Sequence, residues 1–225
     1  MRLSLIIPIY NESSAIDRCV QNLKTLQGSV EIIFVDGGST DGTVARIPQT
    51  YRVISCAKGR ARQMNAGAAA ATGEVLWFSH CDSLLPAHGP VQIFSAVDRG
   101  AQFGCFHISF DKPGFLMACN SFLSDFRARF WHIAFGDQGM FFTRALFESV
   151  GGFPDLPLME DYQLSRLLKR KKVPLILLPD RIVTSARRYD AAPALLVMGK
   201  MFYFRCLFRF GHDAKDIAER YRDIR

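Results

Sequence analysis

His80 and Asp82 lie just beyond the apolar run "VLWF". A carboxylate shortly past the end of a buried strand can hold a metal ion. If that strand stays extended to Asp82, the period of two puts His80 and Asp82 on the same side. Two further polar clusters follow apolar runs: Asn11 and Glu12 after "LSLIIPIY", and Asp36 to Asp41 after "VEIIFV". Asp36 suits hydrogen bonds from a base or a ribose, and equally suits an Asp-Gly turn. Lys58, Arg60 and Arg62 open an Ala-rich helix. Cations at a helix N-terminus make a diphosphate site, against the plainer reading of a solvated face. Glu160 and Asp161 head the basic stretch "EDYQLSRLLKRK", where a carboxylate can act as a base or as a helix cap.

Such residues need elements that bring them together. "LSLIIPIY", "VEIIFV", "YRVIS" and "EVLWFS" read as strands, the first two nearly continuous in apolar character, as in strands buried on both faces. Between them, "NESSAIDRCVQNL" carries Ile16, Val20 and Leu23 at helical spacing, with Ser14 and Asp17 as a capping-box-like start. "KGRARQMNAGAAAATG" is a second helix flanked by glycines. Alternating strands and helices imply βαβ units and a mostly parallel sheet, with ligands beyond the carboxyl ends of the strands. After residue 84 the pattern loosens: helices near "GPVQIFSAVDRG" and "FLMACNSFLSDFRARF", strands at "FGCFHISF" and "QGMFFT", then the basic helix. Trp131 and His132 read as core or groove wall.

The chain of 225 residues suits one domain with an appendage. Its six cysteines show no CxxC pair, which predicts reduced thiols in a cytoplasmic protein, not disulfides or a zinc site. The net charge of +7 is uneven: residues 1–165 hold 13 Lys/Arg and 15 Asp/Glu, residues 166–225 hold 15 and 6. A basic, aromatic end points to an anionic membrane surface or an anionic substrate. No nucleic-acid-binding pattern accompanies it, and "DGGSTDG" is not the GxGxxG of dinucleotide oxidoreductases. The boundary near "DAAP" divides an expected domain at 1–190 from a helical tail at 191–225. The tail's "PALLVMGKMFYFRCLFRFG" is interrupted by Lys200, Arg205 and Arg209. That suits an interfacial helix, or one packed on protein, better than a membrane span.

In order along residues 3 to 185, "IIPIYNE", "IIFVDGGSTDGT", "ARQMNAGAAAATGEVLWFSHCDS" and "GGFPDLPLMEDYQLSRLLKR" resemble the motifs of the family 2 glycosyltransferases of GT-A fold. Within that family, "GRARQMNAG" and a His-x-Asp in place of Asp-x-Asp are similar to a branch of short bacterial radical-SAM/selenodomain-associated transferases. The resemblance implies an α/β GT-A domain with helices flanking a mostly parallel central sheet. It implies transfer of a sugar, with inversion, from a nucleoside-diphosphate sugar (UDP-linked being the commonest) to a hydroxyl acceptor, lipid-linked or small.

The same resemblance implies roles by position. Pro8, Glu12, Asp36, Lys58, Arg60, Arg62, Asn65, His80 and Arg188 would hold the donor. Asp82 would bind a divalent Mn2+ or Mg2+, and His80 would replace a first carboxylate that meets the ribose or a phosphate. Asp161, or else Glu160, would deprotonate the acceptor, and Asp137 and Gln138 would bind it. The enzyme is expected in the cytoplasm, peripheral to the inner face of the cell membrane. The competing functions are a silent nucleotide-sugar sensor or scaffold, and a nucleotidyltransferase. The second would carry a Gly-rich, basic loop after its first strand, which "PIYNESSA" lacks.

Overall fold

The computed structural model describes residues 1–189 and 193–222, without the side chains of Arg188 and Arg222. Eight strands form one sheet in the order β3-β2-β1-β4-β7-β6-β8-β5. They are β1 (Leu3–Ile9), β2 (Val30–Asp36), β3 (Arg52–Ser55), β4 (Val75–Phe78), β5 (Ser83–Leu84), β6 (Phe103–Phe110), β7 (Phe141–Thr143) and β8 (Ile176–Thr184). From β3 to β4 every pairing is parallel, while β7 runs antiparallel to both β4 and β6. Beyond them β8 is parallel to β6, and β5 antiparallel to β8. The sheet is thus parallel in its first half and mixed in its second.

The described residues also form the α-helices α1 (Ile16–Leu23), α2 (Arg60–Ala70), α3 (Gly89–Asp98), α4 (Phe115–Trp131), α5 (Arg144–Ser149), α6 (Glu160–Arg170), α7 (Ala194–Arg209) and α8 (Ala214–Arg222). Leu3, Leu5, Ile7 and Ile9 of β1 pack with α1 and α3, while Ile6 packs with α2, α5 and α6. Val75 and Trp77 of β4 join the first core, Leu76 and Phe78 the second. This two-faced burial is why β1 and β4 read as unbroken apolar runs.

α2 approaches β1 and β2 closely at Gly67, where an added Cβ would stand 2.4 Å from Ile6 Cγ2 and 2.9 Å from Val35 Cγ2. One turn earlier, buried Gln63 donates to the Ile9 and Val35 carbonyls at 2.7 and 2.8 Å. It thereby satisfies the backbone where β1 and β2 end.

Several local expectations change. α1 starts after Ala15 with no side-chain cap, because Asp17 pairs with Arg46 at 2.7 Å. Trp131 and His132 end α4 at the surface, not in the core. β5, β8, α5 and α8 had no distinct signal. β8 contains Pro179, and the sequence shows only its apolar first part. The boundary at 190–193 falls largely outside the described residues. Past it, Phe204, Ile217 and Tyr221 of α7 and α8 pack on Met159 at the head of α6, so the tail has a buried side.

Gly67→Ala is expected to lower stability by about 1–2 kcal/mol, because overpacking of Ile6 and Val35 exceeds the gain in helix propensity. Urea unfolding would measure this, and an unchanged or raised midpoint would contradict the close contact.

Candidate active site

β1, β2 and β4 end on the same side of the sheet, and the loops after β1 and β2 are joined by hydrogen bonds. Asp36 is buried and accepts from the Gly38 and Ser39 N–H groups at 3.1 Å and from Ser39 Oγ at 2.6 Å. Asn11, held at φ 53°, accepts from Thr40 N–H at 2.9 Å, and its own N–H donates to Ser39 Oγ at 3.0 Å. Glu12 N–H donates to Thr43 Oγ1 at 2.8 Å, and Ser13 N–H to Asp41 Oδ2 at 2.9 Å. The Thr43 hydroxyl on Asp41, with the Ser13 and Thr43 N–H groups, holds that carboxyl well below the usual range. Asp36 therefore organises its loop, as the turn reading required.

The segment after β4 does not stay extended. Ser83 N–H donates to the His80 carbonyl at 3.2 Å and closes a turn, so His80 and Asp82 face different neighbours. A Cβ placed on Gly136 would lie 2.8 Å from His80 Nε2 and 3.5 Å from Asp161 Oδ2, so these two side chains flank Gly136. Asp161 Oδ2 accepts from Gly136 N–H at 2.7 Å, and Oδ1 from Tyr162 N–H at 2.6 Å. Met159, not Asp161, is the N-cap of α6. Asp82 instead meets Arg187 at 3.2 Å, and the same guanidinium lies 3.2 Å from Glu12. Burial works against the Arg187 charge, but Asp82 and Glu12 outweigh it and raise its pKa. A cavity of about 130 Å³ opens here, lined by Ser14, Arg18, Cys81, Asp82 and Arg187.

Three cations were expected at the start of α2, and each has a different setting. Lys58 lies 3.8 Å above the Tyr10 ring. Arg60 faces buried Glu160 at 3.8 Å. Burial disfavours its charge, yet Glu160, Asp161, Tyr221 and Asp82 together raise its pKa. Arg62 turns away and pairs with exposed Asp155 at 2.9 Å, so it reads as surface. Pro8 is half-buried in β1 opposite Val35, and Arg188's side chain is outside the described residues.

Two expected ligands serve the protein's own backbone or core. Asn65 holds both sides of Phe153, donating to its carbonyl at 2.7 Å and accepting from its N–H at 2.9 Å. That double bond secures the Gly-Gly-Phe turn ahead of Asp161 and leaves the amide engaged. Gln138 is fully buried, accepts from Arg127 at 2.7 Å and donates to the Phe106 carbonyl at 3.4 Å. It sits in the core, engaged by its own neighbours. Asp137 is half-buried at the same turn, and its charge acts on Arg127, whose pKa burial pushes down to about 10.

Neither Gly136 nor Arg187 stands out in the sequence. Nothing local distinguishes Gly136 from other turn glycines. Arg187's partners lie 105 and 175 residues away in the chain.

The glycosyl transferase family 2 model matches residues 4–145. An uncharacterized glycosyltransferase of Nostoc sp. is 30% identical over 116 residues, 48% of this chain and 36% of the relative. Among solved structures, a mannosyltransferase from Pyrobaculum calidifontis, in complex with GDP-Man and Mn2+, is similar with a TM-score of 0.64 and 23% identity. The match covers 98% of this chain and 69% of that one. Glucosyl-3-phosphoglycerate synthase from Mycobacterium tuberculosis, in complex with Mn2+, UDP and glucosyl-3-phosphoglycerate, gives 0.65 and 20%, covering 94% and 80%. At these identities the likeness is one of fold, the GT-A fold. The chain spans about a third of the length of the Nostoc relative.

Asn65→Ala is expected to lower stability by about 1–3 kcal/mol, the cost of leaving the Phe153 amide groups unmatched. Chemical denaturation without any ligand reads this out. A variant as stable as the parent would return Asn65 to the donor.

Proposed function

Because the chain belongs to glycosyl transferase family 2, we propose that it transfers a sugar from a nucleoside-diphosphate sugar to a hydroxyl acceptor, with inversion and with help from a divalent cation. UDP is the nucleotide we favour. The observation that carries this reading is the arrangement around Gly136: Asp161 and His80 flank it, while Asp82, two residues on, faces Arg187 and Glu12. A carboxylate base and an anion-handling pole thus stand on opposite sides of one short turn.

In this reading the Asp36 loop and Asn11 frame the recess for base and ribose, and Pro8 and Lys58 border it. Asp161, oriented by two backbone N–H groups, takes the proton of the acceptor hydroxyl. The acceptor oxygen then bonds to the anomeric carbon as the carbon–oxygen bond to the diphosphate breaks on the opposite face, which inverts that centre. Glu160 is buried against Arg60 and acts by holding that cation in place. Arg60 and Arg187 can each turn donor N–H groups on the departing diphosphate. His80, beside Asp161, donates to the sugar-phosphate end of the donor, and Asp137 lines the acceptor side.

Among the described residues, no group of three or more His, Cys, Asp or Glu is placed to hold a metal. Asp82 would hold a hard cation, Mn2+ or Mg2+, with oxygen ligands from diphosphate and water completing its needs. Bound there, such a cation would neutralise the leaving group's charge. The free cysteines suit a reducing cytoplasm, and we place the tail peripherally on the inner face of the cell membrane. No helix among the described residues is long and apolar enough to cross a membrane.

Calorimetric titration with UDP, a UDP-sugar and Mn2+, together with turnover on a panel of hydroxyl acceptors, tests these roles. Asp161→Asn should keep donor affinity and reduce transfer by a factor on the order of 100 or more. Asp82→Ala should abolish the part of donor binding that depends on metal. His80→Ala should weaken UDP-sugar binding by about 1–3 kcal/mol, the cost of one unmade hydrogen bond, without changing the metal preferred. Near-normal transfer by Asp161→Asn would move the base elsewhere. Binding of donor with neither transfer nor hydrolysis would identify a sensor.

A further inference from the structure

α4 directs Phe115, Phe122, Phe126, Phe130 and Trp131 into solvent, Phe115 at 82% and Phe122 at 67% exposure. The 122, 126 and 130 rings run along one face at helical spacing, with centroids 6.3 and 4.5 Å apart. α7 likewise exposes Leu195, Leu196, Phe202 and Tyr203, although Val197 and Phe204 on its other side are buried. The two helices are neighbours. Asn120 donates to the Tyr189 hydroxyl at 2.7 Å just ahead of α7. Arg205 of α7 lies 5.6 Å from the Phe135 ring, beyond the end of α4. Exposed apolar side chains in this number on adjoining elements mark an interaction surface.

Charge identifies the partner. The acid of α4, Asp125, is turned inward onto His107 and Arg181, at 2.7 and 3.2 Å. α7 contains no acidic residue and carries Lys200, Arg205 and Arg209. Arg129 and His132 are exposed at the end of α4. Aromatic rings accompanied by cations, with no exposed acid on either helix, complement a surface that is apolar below and anionic above. A second copy of the chain would instead set cationic helix against cationic helix. We infer that α4 and α7 together form a docking face for an anionic lipid bilayer, with the rings entering the headgroup region and the basic side chains meeting lipid phosphates.

This goes beyond a lipid-seeking tail, because it places the principal aromatic row inside the transferase domain. From the end of α4 the chain continues through residues 132–135 to Gly136, whose N–H orients Asp161. On the catalytic reading above, the acceptor end of the site then opens beside the headgroups. The docking itself does not depend on that reading and needs neither donor nor turnover to be measured.

The test is co-sedimentation of the full chain with neutral phosphatidylcholine vesicles and with vesicles containing roughly a third phosphatidylglycerol. Binding to the anionic vesicles should be at least about tenfold tighter, and raising salt from about 0.1 to about 0.5 M should release the protein. Phe122→Ser with Phe130→Ser should weaken binding about tenfold while leaving the melting temperature unchanged, since both rings are exposed. Lys200→Glu with Arg209→Glu should remove the preference for anionic lipid. Equal binding to both vesicle types, or none, overturns the proposal, as does full binding by the aromatic variant. A dimer in light scattering that dissociates in the aromatic variant would assign the face to a second copy instead.

Discussion

Burial of β1 on both faces is the constraint from which the site follows. With Leu5 and Ile7 packed one way and Ile6 the other, the strand must be covered by helices above and below and flanked by neighbours on both edges. Parallel β2 and β4 supply those edges in register, Ile9 opposite Asp36 and Ile6 opposite Phe78. Three strands that end together release their chains at one rim. Asn11 and the Asp36 loop therefore meet in space, and Glu12 and Asp82 share Arg187, although these residues are far apart in sequence. A slip of one residue would turn every buried side chain of β1 to the opposite face, so the core that stabilises the fold also fixes the rim.

Electrostatics at that rim are poised, not locked. The Arg187–Asp82 contact at 3.2 Å corresponds to roughly 5 kcal/mol of gross attraction at an effective dielectric near 20. Much of it is offset because Arg187 is half exposed, and partly exposed pairs contribute about 1 kcal/mol or less in net terms. A diphosphate, with several charges and strong acceptor oxygens, can compete for such a guanidinium. Arg60 differs, because its partner Glu160 is 2% exposed. Drawing a cation away from a carboxylate buried to that degree costs more than parting an exposed pair. The site thus combines one fixed cation and one movable cation.

The C-terminal helices show how one segment can serve two surfaces. Phe204, Ile217 and Tyr221 close over Met159 and so support the first turn of α6, where Asp161 sits. Arg205 stacks on Phe135 at the turn that holds Gly136. The outer side of α7 keeps its aromatic and basic character. A helix whose apolar residues surround most of its circumference can cover protein with one stripe and still present another to a second apolar phase.

The sequence by itself determined the first half of the sheet, the helices after β1 and β3 and the polar strand ends. Those features are local: period, apolar runs and turn chemistry over ten or so residues each. Asp36 and Asp161 draw notice in the sequence because they stand at element ends. Nothing in the sequence marks how Asn65 and Gln138 are engaged, because a polar residue carries no sign of whether a distant group will claim it. The Phe153 amide and Arg127 do claim them. His80 and Asp82 were expected on one side because the strand was taken to continue. Only the turn closed by Ser83, with Arg187 arriving from the far end of β8, separates them. The tertiary structure decides which polar groups remain available for chemistry, since buried donors and acceptors must be matched first, across whatever distance in the chain the fold has closed.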